Sequence, residues 1–395
     1  MVDGRKVPEG YKVTGAGVIP ENWDTNLLGD IIVVYRGGSP RPIQDYLTTS
    51  NSGINWIKIG DVGIGAKYIE KTEEKIIPEG ITRSRYVKPG DLLLSNSMSF
   101  GRPYILSTDG CIHDGWLVLK NYEETLESNF LYYLLSSDVV LQQYKSKAAG
   151  SGVLNLNKDL VNSVNLVVPP LTEQKSIAEV LSDTDILISS LEKLIDKKKK
   201  LKQGAMQQLL TGKKRLPGFS GEWEVKRLGE ICSIATGKKD VNEGNPNGEF
   251  PFFTCSKKIS RSDTFSFDTE ALLIAGNGDV GNMHYYIGKF EVYQRTYALY
   301  NFVKNPKFIQ YYLELNLLKR IKENIIGSTI PYITIDQLLN FAIEIPKNSD
   351  EQKGIAQVLS DMDLEIEALE EKLKKYKTIK QGMMQELLTG RIRLI

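Results

Sequence analysis

The chain has 395 residues, 41% hydrophobic and 25% charged, with 50 Lys+Arg against 49 Asp+Glu and a net charge of +1. These proportions suit a globular protein of two or three domains and exclude a disordered, collagen-like or disulfide-dense chain. No apolar run is long enough to span a bilayer, the N-terminus lacks a signal-peptide core, and the balanced charge requires any nucleic-acid binder to gather its cations on one face.

Taken in chain order, Ile19-Pro20-Glu21-Asn22-Trp23 leads to Leu28-Gly29-Asp30-Ile31 and then Gly37. Strands are predicted at Trp56–Ile59, Asp91–Ser95 and Leu117–Leu119, and a short amphipathic helix at Asn129–Ser136. A glycine-containing loop, Ala148–Gly152, precedes a strand at Leu166–Pro169. Thr172-Glu173 then signals a helix start, and Leu209-Leu210-Thr211-Gly212 carries the glycine of a C-cap. Between them Ile177, Leu181, Ile188, Leu191 and Ile195 form a seam of three- and four-residue steps, as in a coiled coil. About 38 residues at 1.5 Å each make a rod of roughly 57 Å.

The same order then returns. Phe219-Ser220-Gly221-Glu222-Trp223 leads to Leu228-Gly229-Glu230-Ile231 and Gly237. Strands are predicted at Ala271–Ala275 and Ala298–Val303, a helix at Pro306–Lys319, a loop at Gly327–Thr329 and a strand at Ile343–Pro346. Asp350-Glu351 starts a second long helix with its seam at Ile355, Leu359, Met362, Ile366, Leu369 and Leu373, and Leu387–Gly390 closes it. Glu173–Leu216 and Glu351–Leu394 align without a gap at an offset of 178, with 26 identities in 44 positions. The openings align at an offset of 200, so the two globular parts share a framework and differ by about 22 residues of internal length.

The expected fold is α+β: two mixed α/β domains alternating with two long helices that pair as an antiparallel coiled coil, with pseudo-two-fold symmetry. The expected boundaries are 1–170, 171–213, 214–348 and 349–395. The unit order is circular, which predicts that the two ends of the chain meet in space.

Chemistry is sparse. Cys111, Cys232 and Cys255 lie far apart without a CxxC spacing, which argues against zinc or disulfides and fits a reducing cytoplasm, the expected location. His113 and His284 have no ligand partner at helical spacing and are assigned structural roles. Asn245-Pro246-Asn247 reads as a turn, not an amino-methylation motif, and there is no P-loop. Gly276–Gly281 fits GxGxxG, but a dinucleotide fold needs a helix next and Asn282–Ile287 is β-prone, so a tight turn is expected there and at its counterpart Ser95–Arg102. No catalytic constellation, metal site or cofactor is predicted.

Binding remains. Reading DNA needs bidentate donors and acceptors on loops, with cations on phosphates. Candidates recur at matched places: Arg36, Ser39 and Arg41 against Lys238 and Lys239; Lys58 and Asp61 against Ser256, Lys257 and Lys258; Ser97, Ser99 and Arg102 against Asn277. Arg295 and Tyr297 share a loop position with His113-Asp114, and Lys147, Ser151, Asn155 and Asn157 correspond to Ser328, Thr329 and Tyr332.

The helical repeats, the Gly17-x-Ile19-Pro20-x-x-Trp23…Leu28-Gly29-Asp30-Ile31 opening and the Leu-Leu-Thr-Gly endings together resemble the specificity (S) subunits of type I restriction–modification enzymes, over nearly the whole chain. The resemblance implies two target recognition domains, each reading half of a bipartite site in double-stranded DNA. It also implies helices that space the halves and dock two methyltransferase subunits, with motor-nuclease subunits joining that core. On this expectation the chain is a non-catalytic DNA-binding subunit. The alternative is a stand-alone bipartite DNA-binding regulatory or architectural protein.

Overall fold

A computed structural model describes residues 7–63, 65–97, 99–148, 155–323 and 332–394. The fold is α+β, with two helices of 39 residues, Leu171–Leu209 and Ser349–Leu387, and two sheet-containing parts. The chain divides into two compact units, 1–190 with 373–395, and 191–372. Each unit therefore contains the head of one long helix and the tail of the other.

In the first unit the central sheet has the strand order Val33–Arg36, Trp116–Lys120, Leu92–Ser95, Pro103–Leu106, Tyr68–Ile69. Leu92–Ser95 is buried along its whole length, which is why it reads as a continuous apolar run. Alternate residues feed two cores. Leu92, Leu94, Leu117 and Leu119 meet the helices Ser128–Leu135 and Asp138–Ala148 and the long-helix ends, while Leu93, Trp116 and Val118 meet a second five-stranded sheet through Ile57, Val87 and Ile112. Ile177 and Leu181 pack into the first of these cores beside Leu387 and Leu388. The opening turns of the seam thus serve the globular core. Further along, Asp185 pairs with Lys380 and Thr184 meets Met383, so the two helix segments run antiparallel.

The second unit repeats this build. Its sheet order is Ser233–Thr236, Thr296–Tyr300, Phe267–Ala275, Met283–Val292, Phe250–Phe253, Ser260–Ser262. Leu272, Ile274 and Leu299 face the helical core with Ile355 and Leu359, and Ala271, Leu273 and Ala298 face the other side with Phe253 and Phe290. Lys202 pairs with Asp363 at 2.6 Å and Lys198 with Glu365, again antiparallel. One long strand, Met283–Val292, does the work of two in the first unit, Pro103–Leu106 and Gly110–Ile112. The stretch from Ile57 to Leu92 is 16 residues longer than its counterpart from Phe253 to Leu272, and it supplies two of the second sheet's five strands, Glu74–Ile76 and Arg85–Val87.

Sequence identity between the helices follows from matched polar contacts. The Gln174 amide spans the Glu127 N–H (2.8 Å) and the Pro169 carbonyl (2.9 Å); Gln352 spans the Asn305 N–H (3.0 Å) and the Pro346 carbonyl (2.7 Å). Tyr133 donates to Asp185 at 2.7 Å and Tyr311 to Asp363 at 2.8 Å. Gly212 and Gly390, at φ +68° and +71°, turn the chain out of each helix in the left-handed conformation that a side chain resists.

Those turns deliver two arginines. Arg393 grips Glu173 through Nε at 2.6 Å and a terminal nitrogen at 2.7 Å, while the Trp23 indole donates to the same carboxylate at 2.9 Å. Arg215 grips Glu351 likewise, but the buried Trp223 Nε1 has no partner among the described residues. Tyr11 also donates to the Gly390 carbonyl, at 3.0 Å, so the two ends of the described chain meet, as the circular unit order requires.

Burial alone pushes the Glu173 carboxyl up, but the Arg393 fork and the Trp23 N–H more than offset this and hold it below the usual carboxylate value. Its contribution is therefore complete above the unfolded-state pKa of about 4.3 and fades as pH falls through the folded value. Glu173→Gln is expected to destabilise the first unit by about 1–3 kcal/mol, because it leaves the partly buried Arg393 guanidinium without its countercharge. Urea unfolding of the full chain at pH 7 measures this; a loss below about 1 kcal/mol would assign the pair the worth of a surface ion pair.

Candidate nucleic-acid interface

Five loops gather at one end of the sheets in each unit, tied by backbone hydrogen bonds at matched positions. In the first unit His113 N donates to Ile57 O (3.4 Å), Asn96 N to Gly115 O (3.0 Å) and Leu156 N to Asn96 O (2.8 Å). In the second, Tyr293 N donates to Phe253 O (3.0 Å), Gly276 N to Arg295 O (2.9 Å) and Ile333 N to Gly276 O (2.8 Å). The Gly37 turn presses so closely on the His113 turn that a methyl on Gly37 would overlap the His113 carbonyl, and in the second unit a methyl on Gly237 would overlap the Val292 carbonyl. Glycine at both positions is a requirement of close approach.

The first unit's loop residues converge on Asp114. Ser39 Oγ donates to its carboxylate at 2.9 Å and Arg41 reaches it at 3.5 Å, while Arg36 Nε and Asn96 Nδ2 donate to its backbone carbonyl at 3.0 and 2.9 Å. Partial burial raises the Asp114 carboxyl, but the Ser39 bond and the neighbouring His113 and Arg36 hold it below the ordinary value. A cavity of about 390 Å³ opens beside it, lined by Ser39, Arg41, Trp56, Lys58 and His113 among others. Lys58 pairs with Glu74 at 2.8 Å, and the Asp61 carboxylate accepts from Lys58 N at 2.7 Å, fixing that turn. His113 has the expected structural role: the Ile59 N–H meets Nε2 at 3.0 Å, and burial lowers the ring's pKa.

Not every candidate joins this group. Ser97 is half-buried on the Asn96 turn. Ser99 and Arg102 line a different cavity, of about 550 Å³, with Tyr132, Tyr133 and Lys380. Asn157 accepts from Leu160 N at 2.8 Å as the N-cap of a short helix, while Asn155 and Lys147 are exposed nearby. Ser151, Ser328 and Thr329 lie outside the described residues.

In the second unit Lys239 turns inward, bonding Ser262 (2.9 Å) and Thr264 (2.6 Å) beside the buried Glu291. Lys238, Lys257, Lys258 and Arg295 are exposed. Ser256 stands exposed beside them, its hydroxyl accepting from Lys258 N at 3.2 Å. Tyr297 donates to Ile333 O at 2.8 Å, Asn277 is half-buried, and Tyr332 is 60% exposed. Gln294 donates to Asp240 Oδ2 at 3.0 Å. Asp114 and Gln294 lie on a loop that the sequence marks as a candidate without being singled out as contacts themselves, and Arg85 carries no such mark: its Nε donates to Arg36 O and its guanidinium lies 4.5 Å from the Tyr35 ring centre.

The Gly276–Gly281 stretch is a turn: Ala275 N donates to Asn282 O at 2.9 Å, Gly278 and Gly281 have φ of +61° and +78°, and a strand follows. Ser95 N donates to Arg102 O at 3.0 Å in the counterpart. Asn245–Gly248 is likewise closed by Gly248 N to Asn245 O at 2.9 Å. No helix among the described residues is long and apolar enough to cross a membrane, and no group of His, Cys, Asp and Glu among them is placed to hold a metal ion.

The family described as "Type I restriction modification DNA specificity domain" matches twice, over residues 20–203 and 220–379. The type I restriction enzyme EcoDI specificity subunit of Escherichia coli is 36% identical over 168 residues, 42% of this chain and 37% of that relative. The MjaVIII specificity subunit of Methanocaldococcus jannaschii is 26% identical, covering 98% of this chain and 96% of its own. Among solved structures, the S subunit of a type I restriction–modification system from M. genitalium superposes with a TM-score of 0.63 at 18% identity, covering 93% of this chain and 96% of that one.

Proposed function

We propose, from the premise that this chain belongs to the type I restriction–modification DNA specificity family, that it is the non-catalytic subunit that selects the DNA sequence for a cytoplasmic methyltransferase and endonuclease. Each unit places its loop cluster in the major groove of one half-site, and the long helices set the distance between halves and dock two methyltransferase subunits, to which motor-nuclease subunits add. The observation that carries this reading is the pair of loop clusters, built on matched backbone hydrogen bonds yet furnished with different side chains. One scaffold with two surfaces is what an asymmetric, two-part site calls for.

Several features support the division of labour. The exposed cations Lys238, Lys257, Lys258 and Arg295 suit phosphates, which position a protein on DNA without reading sequence. Ser39, Arg41 and Lys58 around the first cavity suit base edges. The long helices leave Ile186 at 64%, Leu201 at 50% and Leu364 at 62% exposed, apolar surface that suits partner helices.

Deleting the gene is expected to erase one asymmetric bipartite adenine-methylation motif from the genome of the source organism, with other motifs unchanged. Methylation mapping with the gene intact and deleted measures this. An unchanged map from a genome whose partner methyltransferase is active would favour the stand-alone DNA-binding protein instead.

A further inference from the structure

Resting on the reading of the loop clusters as the DNA-facing side, we propose that Asp114 and Gln294 are the base-reading acceptors, each taking a hydrogen bond from the exocyclic amino group of a cytosine or adenine in its own half-site.

The two residues hold the same place in the fold. Asp114 lies two residues before Trp116, which pairs with Ser95; Gln294 lies two before Thr296, which pairs with Ala275. The residue before each is bonded to the end of a neighbouring strand, His113 N to Ile57 O and Tyr293 N to Phe253 O. The carbonyl after each is bonded to the turn that follows the strand Leu92–Ser95 or Phe267–Ala275, Gly115 O by Asn96 N and Arg295 O by Gly276 N. Backbone position is therefore fixed on both sides of each residue.

The side chains are fixed too, each from its inner edge. Asp114 Oδ1 accepts from Ser39 Oγ at 2.9 Å, while among the described residues Oδ2 has only Arg41, at 3.5 Å, and the side chain is 42% exposed. Gln294 must turn its NH₂ toward the Asp240 carboxylate at 3.0 Å, because two oxygens would repel there. Its carbonyl oxygen then points away with no partner among the described residues. Each unit thus presents one oriented, underused acceptor at the same register, although one is a carboxylate and the other an amide.

An acceptor facing DNA has few places to bond. Phosphate and sugar oxygens are acceptors themselves and repel it. The donors that a major groove exposes are N4 of cytosine and N6 of adenine. The chemistry therefore narrows each of these contacts to an amino-bearing base, and Arg36, Ser39 and Arg41 become the groups that aim the first of them.

The test is a methylation map of the source organism carrying Asp114→Asn or Gln294→Ala in the chromosomal gene. Asp114→Asn keeps an oxygen for Ser39 and turns NH₂ outward, so an acceptor becomes a donor. One position of one half-site should then move from cytosine or adenine to guanine or thymine, a reversal of preference on the order of 10- to 100-fold. Gln294→Ala should relax a single position of the other half-site and leave the first unchanged. A motif that persists with every position intact, or weakens evenly at all positions, in both variants overturns the inference and leaves these residues as loop braces. If Asp114→Asn abolishes the motif through misfolding, Gln294→Ala decides alone by the same criterion. If the unsubstituted gene yields no bipartite motif, it is the specificity-subunit reading that fails.

Discussion

A duplex carrying the two different half-sites is expected to bind about 10³-fold more tightly than a palindrome built from either half, at equal salt and spacing. The reason lies in how little the loop clusters share beyond their backbone. Where the first unit gathers Arg36, Ser39 and Arg41 around Asp114, the second sets Lys239 inward and bonds Gln294 to Asp240. The longer stretch between Ile57 and Leu92 gives the first unit two strands, Glu74–Ile76 and Arg85–Val87, of a separate five-stranded sheet, whereas the strands leading to the second unit's loops belong to one six-stranded sheet. A surface so different cannot satisfy the same bases, and unmatched donors and acceptors cost more than missing contacts. Competition between the mixed duplex and each palindrome, with the assembled methyltransferase, measures the ratio. Equal binding would mean that both units read one sequence.

Removing seven residues from the middle of each long helix is expected to shorten the spacer by about three base pairs while leaving both half-sites unaltered. A heptad preserves the seam, and seven residues at 1.5 Å correspond to roughly 10 Å along the axis. One turn of DNA occupies about 34–36 Å over 10–10.5 base pairs, so that displacement is about three steps. The cut belongs between the core-packed ends: Ile177 and Leu181 must stay, as must Met206 and Leu209, because they fill the globular cores. The original spacing should lose roughly the whole specific margin, about 10³-fold. Motif mapping of the shortened chain reads the outcome directly, and an unchanged spacer would sink the idea that the helices act as a ruler.

Much of this architecture was legible because its signals are local. The three-and-four seam predicts both long helices, and the structure begins them at Leu171 and Ser349. Strands rich in buried apolar residues announce themselves by composition, as Leu92–Ser95 does and as Ala271–Ala275 does, whereas the earlier half of Phe267–Ala275 is largely polar, not buried and gives no such signal. The helix Asp138–Ala148 was missed because its weakly apolar face buries only Val140, Tyr144 and Ala148. The seam itself was read too uniformly: Ile177, Leu181, Ile355 and Leu359 belong to globular cores, which periodicity cannot distinguish from a helix partner. At the loops, residue type pointed to cations, yet Lys239 is committed to Ser262 and Thr264, and Asn157 to a helix cap. Such commitments depend on residues tens of positions away, and no spacing rule encodes them.

The exchange of helix ends between the units bears on how the chain is made. Residues 191–372 form a contiguous unit, whereas the other needs residues 1–190 together with those from 373 onward. At about 5–20 residues per second a ribosome adds the intervening stretch in roughly 10–40 s. Throughout that wait Glu173 and Trp23 have no Arg393, and the core around Ile177 has no Leu387 or Leu388. The unit begun before residues 191–372 thus closes after them, and the nascent chain carries an uncovered apolar surface, a natural site for chaperone capture, until Leu387, Leu388 and Arg393 have emerged.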